Sequence, residues 1–178
     1  METQIHGALV EVLGLGIVLT GPSGIGKSEC VLELVQRGHR LVADDVVRLR
    51  RIEVAEGPPH LIGTSPEAIR HYLEIRGIGL LCISDLYGKE SVLLEHRVSL
   101  VCRLEKWRKG AGYERVGLER PMEELAGVAI PTLVIPVRPA TSTATLVEVA
   151  GRDELQRLAG NNAAKRLDEK LKKDAEHL

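Results

Sequence analysis

The sequence contains very few aromatic residues. It has no Phe, three Tyr and a single Trp, so aromatics make up 2% of the 178 residues. Proteins that bind RNA or single-stranded DNA commonly stack the bases on aromatic side chains. The 24 Lys and Arg are balanced by 25 Asp and Glu, and the net charge of -1 provides no general attraction for a polyanion. We therefore expect no nucleic-acid partner.

Long apolar runs and cysteine pairs are also missing. The sequence has no run of about 18 uncharged apolar residues, and residues 1–4 lack the basic region that begins a signal peptide. The three cysteines, Cys30, Cys82 and Cys102, are too widely spaced for a C-x-x-C metal site, and their odd number does not suit a disulfide framework. We expect a cytoplasmic protein with reduced thiols and no membrane partner.

The apolar residues that are present, 44% of the chain, follow patterns that predict one α/β domain. Helices are predicted over 28–37 and from 153 onward, with a break at Asn161-Asn162. A loop is predicted over 105–124. Strands are predicted in two parts of 5–20 and then over 40–43, 46–54, 78–83, 92–104, 131–137 and 144–149.

The most specific motif lies at residues 21–28 and fits the phosphate-loop pattern G-x-x-x-x-G-K-(S/T) at every position. An apolar strand precedes it and an amphipathic helix follows it. Glycines allow backbone N–H groups to point inward at phosphate oxygens, and the helix N-terminus adds a positive dipole. We expect Lys27 to contact the β- and γ-phosphates of a nucleotide and Ser28 to bind Mg²⁺. The predicted loop residues are Gly21, Pro22, Ser23, Gly24, Ile25, Gly26, Lys27 and Ser28.

Two adjacent carboxylates, Asp44 and Asp45, follow the strand predicted over 40–43. In a parallel α/β sheet the C-terminal ends of the strands meet the phosphate loop. One carboxylate can then bind Mg²⁺ while the other acts as a general base toward a substrate hydroxyl. The residues alone leave open which carboxylate has which role.

Further motifs occur along nearly the whole chain. They are His-Gly at 6–7, the loop extended to residue 29, R-G-H-R-L-V-A-D-D at 37–45, L-E-I-R-G-I-G at 73–79, Y-E-R-V-G-L at 113–118, P-V-R-P at 136–139 and N-A-A at 162–164. In this order they resemble the HPr kinase/phosphorylase family. The resemblance implies a P-loop kinase domain similar to the phosphoenolpyruvate carboxykinases, with a mixed sheet and flanking helices. It implies one catalytic domain over 1–178, with a C-terminal helical segment over 153–178 and without the family's usual N-terminal domain.

The resemblance also implies an activity and partners. Members of this family use ATP or pyrophosphate, with Mg²⁺, to phosphorylate a serine of HPr, a small carrier protein of the bacterial phosphotransferase system. In the reverse reaction, inorganic phosphate removes the phosphoryl group and pyrophosphate is formed. The family usually assembles as a hexamer, so we expect a homo-oligomer.

Matching the motifs position by position implies roles for the residues around the loop. Lys27 corresponds to the lysine that grips phosphate, and Ser28 to a magnesium ligand. Asp45, with Asp44 beside it, corresponds to the residue that accepts the serine proton in the forward reaction and donates one in the reverse. His6 matches a further residue that the family uses in catalysis.

The later motifs add more distant residues. Glu74 resembles a second magnesium ligand, and it alternates with Arg76 so that both side chains can face one side of a strand. Arg115 matches a catalytic residue in a Gly-containing segment. Arg138 lies in the stretch that the family ties to dephosphorylation, but the family's following Gly-Arg is replaced by Ala140-Thr141. This departure weakens the expectation of phosphorolysis more than that of kinase activity.

Two other functions fit the same phosphate loop. One is a small-molecule kinase or nucleotidase, and the other is a nucleotide-sensing module whose catalysis has decayed. The altered stretch after Arg138 favours the sensor. The residues that weigh against it are the intact Lys27, Ser28, Asp45, Glu74 and Arg115. In each case the scarcity of rings predicts that the phosphates, more than the purine, carry recognition.

Overall fold

The structure is a computed structural model that describes residues 2–176, so Met1 and the last two residues of the predicted C-terminal segment lie outside it. The helices are α1 (Lys27–Gln36), α2 (Ile83–Tyr87), α3 (Thr143–Leu158) and α4 (Ala163–Glu176). The strands are β1 (Glu2–His6), β2 (Ala8–Val12), β3 (Leu15–Thr20), β4 (Arg40–Ala43), β5 (Val46–Ile52), β6 (His60–Thr64), β7 (Tyr72–Ile75), β8 (Gly79–Cys82), β9 (Glu95–Lys106), β10 (Met122–Leu125) and β11 (Val128–Val137).

Nine of these strands form one mixed sheet, in the order β1-β5-β6-β9-β3-β2-β4, with β11 paired to β9 and β10 paired to β11. Strands β7 and β8 form a separate hairpin. Strands β3, β9 and β11 run parallel, whereas β2 lies antiparallel between β3 and β4. The predicted mixed sheet with flanking helices is therefore confirmed. Because β2 runs antiparallel to both β3 and β4, these two strands point the same way, and their C-terminal ends share one edge.

Two stretches of extended chain, β1 with β2 and β4 with β5, are each interrupted, and the two interruptions lie opposite each other. Gly7 alone separates β1 from β2, while Asp44 and Asp45 separate β4 from β5; β1 pairs with β5, and β2 with β4. The Gly7 N–H donates to the Asp45 carbonyl oxygen at 3.0 Å across the interruption. A side chain at position 7 would place its Cβ 2.5 Å from the Leu19 carbonyl oxygen, so only glycine fits. The interruption brings His6 and both aspartates to the edge where β3 ends.

The core lies on both faces of the sheet and is built from aliphatic side chains. On one face, alternate residues of β2 and β3 pack with buried residues of α1 and α3, including Val31, Leu34 and Val147. On the other face, residues such as Leu9 and Val18 pack with buried residues of β4, β5, β6 and β9. The period-two alternation of these strands divides their apolar side chains between the two clusters.

Residues 144–149, predicted to be a strand, lie in α3. The Ser142 hydroxyl caps this helix by accepting a hydrogen bond from the Thr145 N–H at 3.0 Å. The cap and the tertiary packing outweigh the strand propensity of the Thr and Val residues. The buried positions follow helical spacing, at 144, 147, 150, 151 and 154. The predicted break at Asn161-Asn162 is confirmed, since α3 ends at Leu158 and α4 begins at Ala163.

Residues 78–83, predicted to be a buried strand, include the hairpin strand β8 but are mostly not buried. Ile78 and Leu80 are 69% and 68% exposed, because the β7–β8 hairpin stands apart from the main sheet. The predicted loop over 105–124 is confirmed between the end of β9 and the start of β10. In the part of the chain that the structure describes, no helix is long and apolar enough to cross a membrane.

The loop between β9 and β10 is attached to α3 by a buried ion-pair network. The Arg120 guanidinium, which is 8% exposed, lies 2.5 Å from an Asp153 carboxylate oxygen and 2.8 Å from one of Glu154, which is 6% exposed. Arg157 pairs with Asp153 at 2.8 Å and donates to the Gly117 carbonyl oxygen at 2.6 Å. These contacts restrict the end of the loop nearest β10.

We expect Arg120→Ala to lower the free energy of unfolding by about 3–5 kcal/mol, because it leaves the Glu154 carboxylate buried without a partner. Urea unfolding measures the change. The double variant Arg120→Met/Glu154→Leu removes both charges and should recover most of the loss. A single variant within about 0.5 kcal/mol of the parent would contradict this account of the network.

Candidate functional site

A cavity of about 460 Å³ opens at the sheet edge where β3 and β4 end. It brings together most of the residues that the sequence singled out. The predicted residues that line it are His6, Ser23, Gly24, Gly26, Lys27, Ser28, Asp44, Asp45, Glu74 and Arg76. Tyr72, Ile69 and Ala68 also line the cavity, and no motif had indicated them.

The phosphate loop has the backbone that its glycines predict. Gly21, Gly24 and Gly26 have φ values of 140°, 79° and 101°, in the region that favours glycine. Gly26 precedes α1, and no side chain caps the first amides of that helix. These N–H groups are donors without an intrahelical acceptor and form the type of anion site that helix N-termini provide.

Lys27 lies within the curl of the loop. Its side chain is almost buried, and Nζ donates to the carbonyl oxygens of Gly21 at 2.9 Å and Pro22 at 3.1 Å. An ammonium group has three protons, so these two bonds leave one donor for a phosphate oxygen. The two carbonyls hold the charge in position without neutralising it.

Ser28 and Asp44 form a pair beneath the loop. The Ser28 hydroxyl donates to Asp44 Oδ2 at 2.8 Å, and Asp44 is 7% exposed. Burial raises the pKa of Asp44, although hydrogen bonds from the Ser28 hydroxyl and the Asp45 N–H partly offset the increase. The ionised carboxylate therefore lies in an environment that disfavours its negative charge. A bound cation would stabilise that charge.

Asp45 points the other way. Its side chain is 69% exposed, and His6 Nδ1 lies 3.2 Å from Asp45 Oδ1 at the mouth of the cavity. Asp45 has a φ of 67°, and the Val46 N–H donates to the Asp44 carbonyl oxygen at 2.8 Å. A positive φ beneath such an i-to-i+2 bond marks the classic γ-turn, which is rare and strained. The turn sends two adjacent carboxylates to opposite sides.

Glu74 and Arg76 approach the loop from the β7–β8 hairpin. Both line the cavity, as their alternation predicted. A Cβ built on Gly24 would lie 3.3 Å from Arg76 Nη1, so the guanidinium sits directly against the loop. Arg76 therefore adds a second positive charge to the one that Lys27 supplies.

Arg115 and Arg138 do not line this cavity. Arg115 follows Glu114, whose carboxylate accepts the N–H groups of residues 115, 116 and 117 at 2.7–2.9 Å. Arg138 lies over the Trp107 ring, with 4.8 Å between the guanidinium carbon and the ring centroid. The catalytic role of Arg115 and the phosphorolytic role of Arg138 stay predictions.

The donors near the loop suit a magnesium ion that is also bound to phosphate. Among residues 2–176, no group of three His, Cys, Asp or Glu side chains is close enough to hold a metal by itself. Mg²⁺ is commonly held by one or two protein oxygens together with water and substrate phosphates. The Ser28 hydroxyl and the Asp44 carboxylate, 2.8 Å apart, fit that requirement.

Comparison with known proteins identifies the family. Residues 1–171 match the model of the HPr serine kinase C-terminal domain. The chain belongs to this family. It is 49% identical over 168 residues to the HPr kinase/phosphorylase of Caldicellulosiruptor bescii, which covers 94% of this chain and 53% of that protein. It is 50% identical over 172 residues to the HPr kinase/phosphorylase of Caldanaerobacter subterraneus, which covers 97% of this chain and 55% of that protein.

A solved structure supports membership of the HPr serine kinase C-terminal domain family. The HPr(Ser) kinase/phosphatase of Coxiella burnetii superposes with a TM-score of 0.79 at 29% identity, covering 93% of this chain and 98% of that one. The chain spans about half the length of the curated relatives it matches. The match thus covers the part of those relatives that corresponds to the family's C-terminal domain.

Replacing Asp44 should stabilise the protein in the absence of metal. Because the folded-state pKa of Asp44 is raised, stability falls as pH rises from the unfolded value, about 3.9, through the folded value, and stays lower above it. Asp44→Asn removes this loss while its amide oxygen can still accept the Ser28 bond. We expect a higher melting temperature at pH 7 in EDTA, by about 2–4 °C for each kcal/mol gained.

Asp45→Asn is the matched control, because its carboxylate is exposed and its melting temperature should change little. A melting temperature for Asp44→Asn below that of the parent at pH 7 would contradict a destabilising buried carboxylate. Added Mg²⁺ should raise the melting temperature of the parent more than that of Asp44→Asn.

Proposed function

We propose that this chain is the catalytic part of a cytoplasmic kinase that transfers the terminal phosphoryl group of ATP to a serine of the phosphocarrier protein HPr. The observation that carries the proposal is the divergence of Asp44 and Asp45 beside a phosphate loop. Asp44 is buried against Ser28, whereas Asp45 is exposed next to His6. A metal-binding carboxylate and a base that must reach a protein hydroxyl need these two different environments. The names of the relatives support HPr as the acceptor.

The loop residues would bind and orient the nucleotide. The inward backbone N–H groups of the loop, together with Lys27 and Arg76, would surround the β- and γ-phosphates with positive charge. When bound, Mg²⁺ would neutralise phosphate charge at Ser28 and Asp44, with Glu74 at the rim of the same cavity. Because these groups are set in place by the fold, they would stabilise charge in the transition state without reorganising.

In the forward reaction, Asp45 would remove the proton of the serine hydroxyl as its oxygen forms a bond to the γ-phosphorus. The bond between that phosphorus and the β–γ bridging oxygen breaks, and ADP leaves with the electron pair. His6, 3.2 Å from Asp45, would hold the carboxylate toward the cavity mouth. We propose that pyrophosphate can replace ATP, because the groups that line the cavity would bind the phosphates and not the nucleoside.

The same geometry supports the reverse reaction. An oxygen of inorganic phosphate would attack the phosphorus of phosphoserine, the bond to the serine oxygen would break, and Asp45 would return the proton to that oxygen. Pyrophosphate would be the second product. Phosphate would occupy the position against Lys27 and Arg76 that the β-phosphate holds in the forward direction.

Exposed apolar residues next to the cavity favour a protein acceptor over a small molecule. Ile78, Leu80 and Leu86 are exposed, and Leu80 also lines the cavity. Ile78 and Leu80 lie on one hairpin, and exposed apolar side chains at the mouth of a site suit a surface that associates with another protein. Exposed leucines also occur on the C-terminal helices, at Leu158, Leu167 and Leu171, and they support the proposal of a homo-oligomer, a hexamer by resemblance to the family.

Asp45→Asn should lower the rate of HPr phosphorylation by about 100-fold or more, because the amide cannot accept the serine proton. Nucleotide binding should survive, because the loop and the Ser28–Asp44 pair are unchanged. Transfer of labelled phosphate from ATP to HPr measures the first effect, and calorimetry with ATP and Mg²⁺ measures the second.

Glu56→Gln is a suitable control for this experiment. It makes the same carboxylate-to-amide change in the exposed turn between β5 and β6 and should leave transfer unchanged. Transfer by Asp45→Asn at a near-parental rate would rule out Asp45 as the base. Phosphate release from ATP that does not depend on HPr would instead favour a nucleotidase.

A further inference from the structure

The chain has one tryptophan, and it lies at the sheet edge that carries the phosphate loop. Trp107 directly follows β9. Its backbone N–H donates to the Val137 carbonyl oxygen at 3.1 Å, so the residue continues the pairing between β9 and β11. Arg138 directly follows β11 and lies over the indole, 4.8 Å from the ring centroid. Trp107 is 38% exposed. The Trp107 ring is thus held by the strand pairing and by Arg138, and part of its surface is exposed to solvent.

The strand register places this pair at a nucleotide's distance from the loop. Strands β3, β9 and β11 are parallel neighbours, with Thr20 opposite Arg103 and Val137 opposite Lys106. The first loop glycine, Gly21, packs so closely on β9 that a Cβ there would collide with its backbone. Neighbouring strands are about 4.8 Å apart and residues about 3.3 Å. Trp107 therefore lies roughly 11 Å from the start of the loop, and Arg138, one strand further away, roughly 14 Å.

The reacting groups lie on the opposite side of the loop. In the sheet, β2 and β4 are on one side of β3, and β9 and β11 are on the other. His6, Asp44 and Asp45 lie on the first side, because Gly7 alone separates His6 from β2 and the two aspartates directly follow β4. A γ-phosphate that faces Asp45 directs the other end of an extended triphosphate away from β2 and β4. The nucleoside then extends toward the ends of β9 and β11.

We propose that Trp107 and Arg138 form the stacking site for the purine of the bound nucleotide. This inference rests on the proposed nucleotide-dependent function and names the substrate contacts outside the phosphate cavity. Every base has a π-face, so an indole ring binds adenine and guanine alike. The guanidinium of Arg138 lies over one face of the ring in a cation–π contact, so the base would stack on the opposite face. A site of this type discriminates a nucleoside triphosphate from pyrophosphate, but not ATP from GTP.

Because Trp107 is the only tryptophan, its fluorescence reports on this site alone. ATP and GTP, titrated with Mg²⁺ into the full chain, should quench the emission, whereas pyrophosphate should bind with little change. Trp107→Leu should raise the Kd of both ATP and GTP, measured by calorimetry, by about 10-fold and leave the Kd of pyrophosphate unchanged. Trp107→Phe keeps a ring and should retain most of the affinity. Arg138→Gln should also raise the Kd of ATP, because the ring loses its cation–π contact.

The outcomes separate this inference from the function on which it rests. Equal ATP affinity in Trp107→Leu and the parent overturns the stacking site while leaving the kinase proposal intact. An equal loss of ATP and pyrophosphate affinity in Trp107→Leu also overturns it, because the residue would then act on the loop and not on the base. If neither ATP nor pyrophosphate binds the parent protein, both the function and the stacking site are overturned.

Discussion

The positions of the Asp44 and Asp45 side chains depend on the hydrogen bond from the Gly7 N–H to the Asp45 carbonyl oxygen. It spans the interruption that separates β1 from β2 and β4 from β5. An uninterrupted pair of strands would leave Asp44 and Asp45 on opposite faces of a flat ladder, away from the loop. The γ-turn at Asp45 instead directs one carboxylate beneath the loop and the other to the cavity mouth. Gly7 is part of the same constraint, because a side chain there would collide with the Leu19 carbonyl oxygen in β3.

This arrangement has an energetic cost that serves the chemistry. A positive φ at a non-glycine residue and a buried carboxylate both lower the stability of the protein without ligand. The buried carboxylate is that of Asp44 and the positive φ is that of Asp45, so the two features occur in adjacent residues next to the phosphate loop. The sheet around them is held by fully buried aliphatic residues on both faces, such as Leu9 and Leu34, and can maintain the strained turn. Ligand binding can then recover at Asp44 the stability that burial of its charge removes.

The sequence predicted which residues meet around the cavity better than it predicted some of the fold, for physical reasons. A phosphate loop has demands that are local to the backbone, so its residue types at 21–28 identify it. The position of β2 between β3 and β4 is a long-range pairing that no local pattern records. In α3, a run of Thr and Val resembled a strand at 144–149, and only the cap at Ser142 and burial at every third or fourth position reveal the helix. Strands β6 and β10 are short and carry Gly or charged residues, so alternation alone does not predict them.

The same distinction applies within the site. The pairing of Ser28 with Asp44, and of His6 with Asp45, depends on a φ of 67° at one residue, which adjacent aspartates in a sequence do not predict.

The scarcity of aromatic residues connects the core to the proposed mode of recognition. The core is built from Leu, Val and Ile, and Trp107 is not among its residues. Trp107 is half-exposed, at the sheet edge of the loop, and backed by an arginine that the cavity itself does not use. In the proposed mode of binding, the backbone N–H groups, Lys27 and Arg76 would recognise the phosphates without the base, so pyrophosphate would also be able to bind. The proposed stacking contact would then add affinity for nucleotides without altering the geometry proposed for phosphoryl transfer.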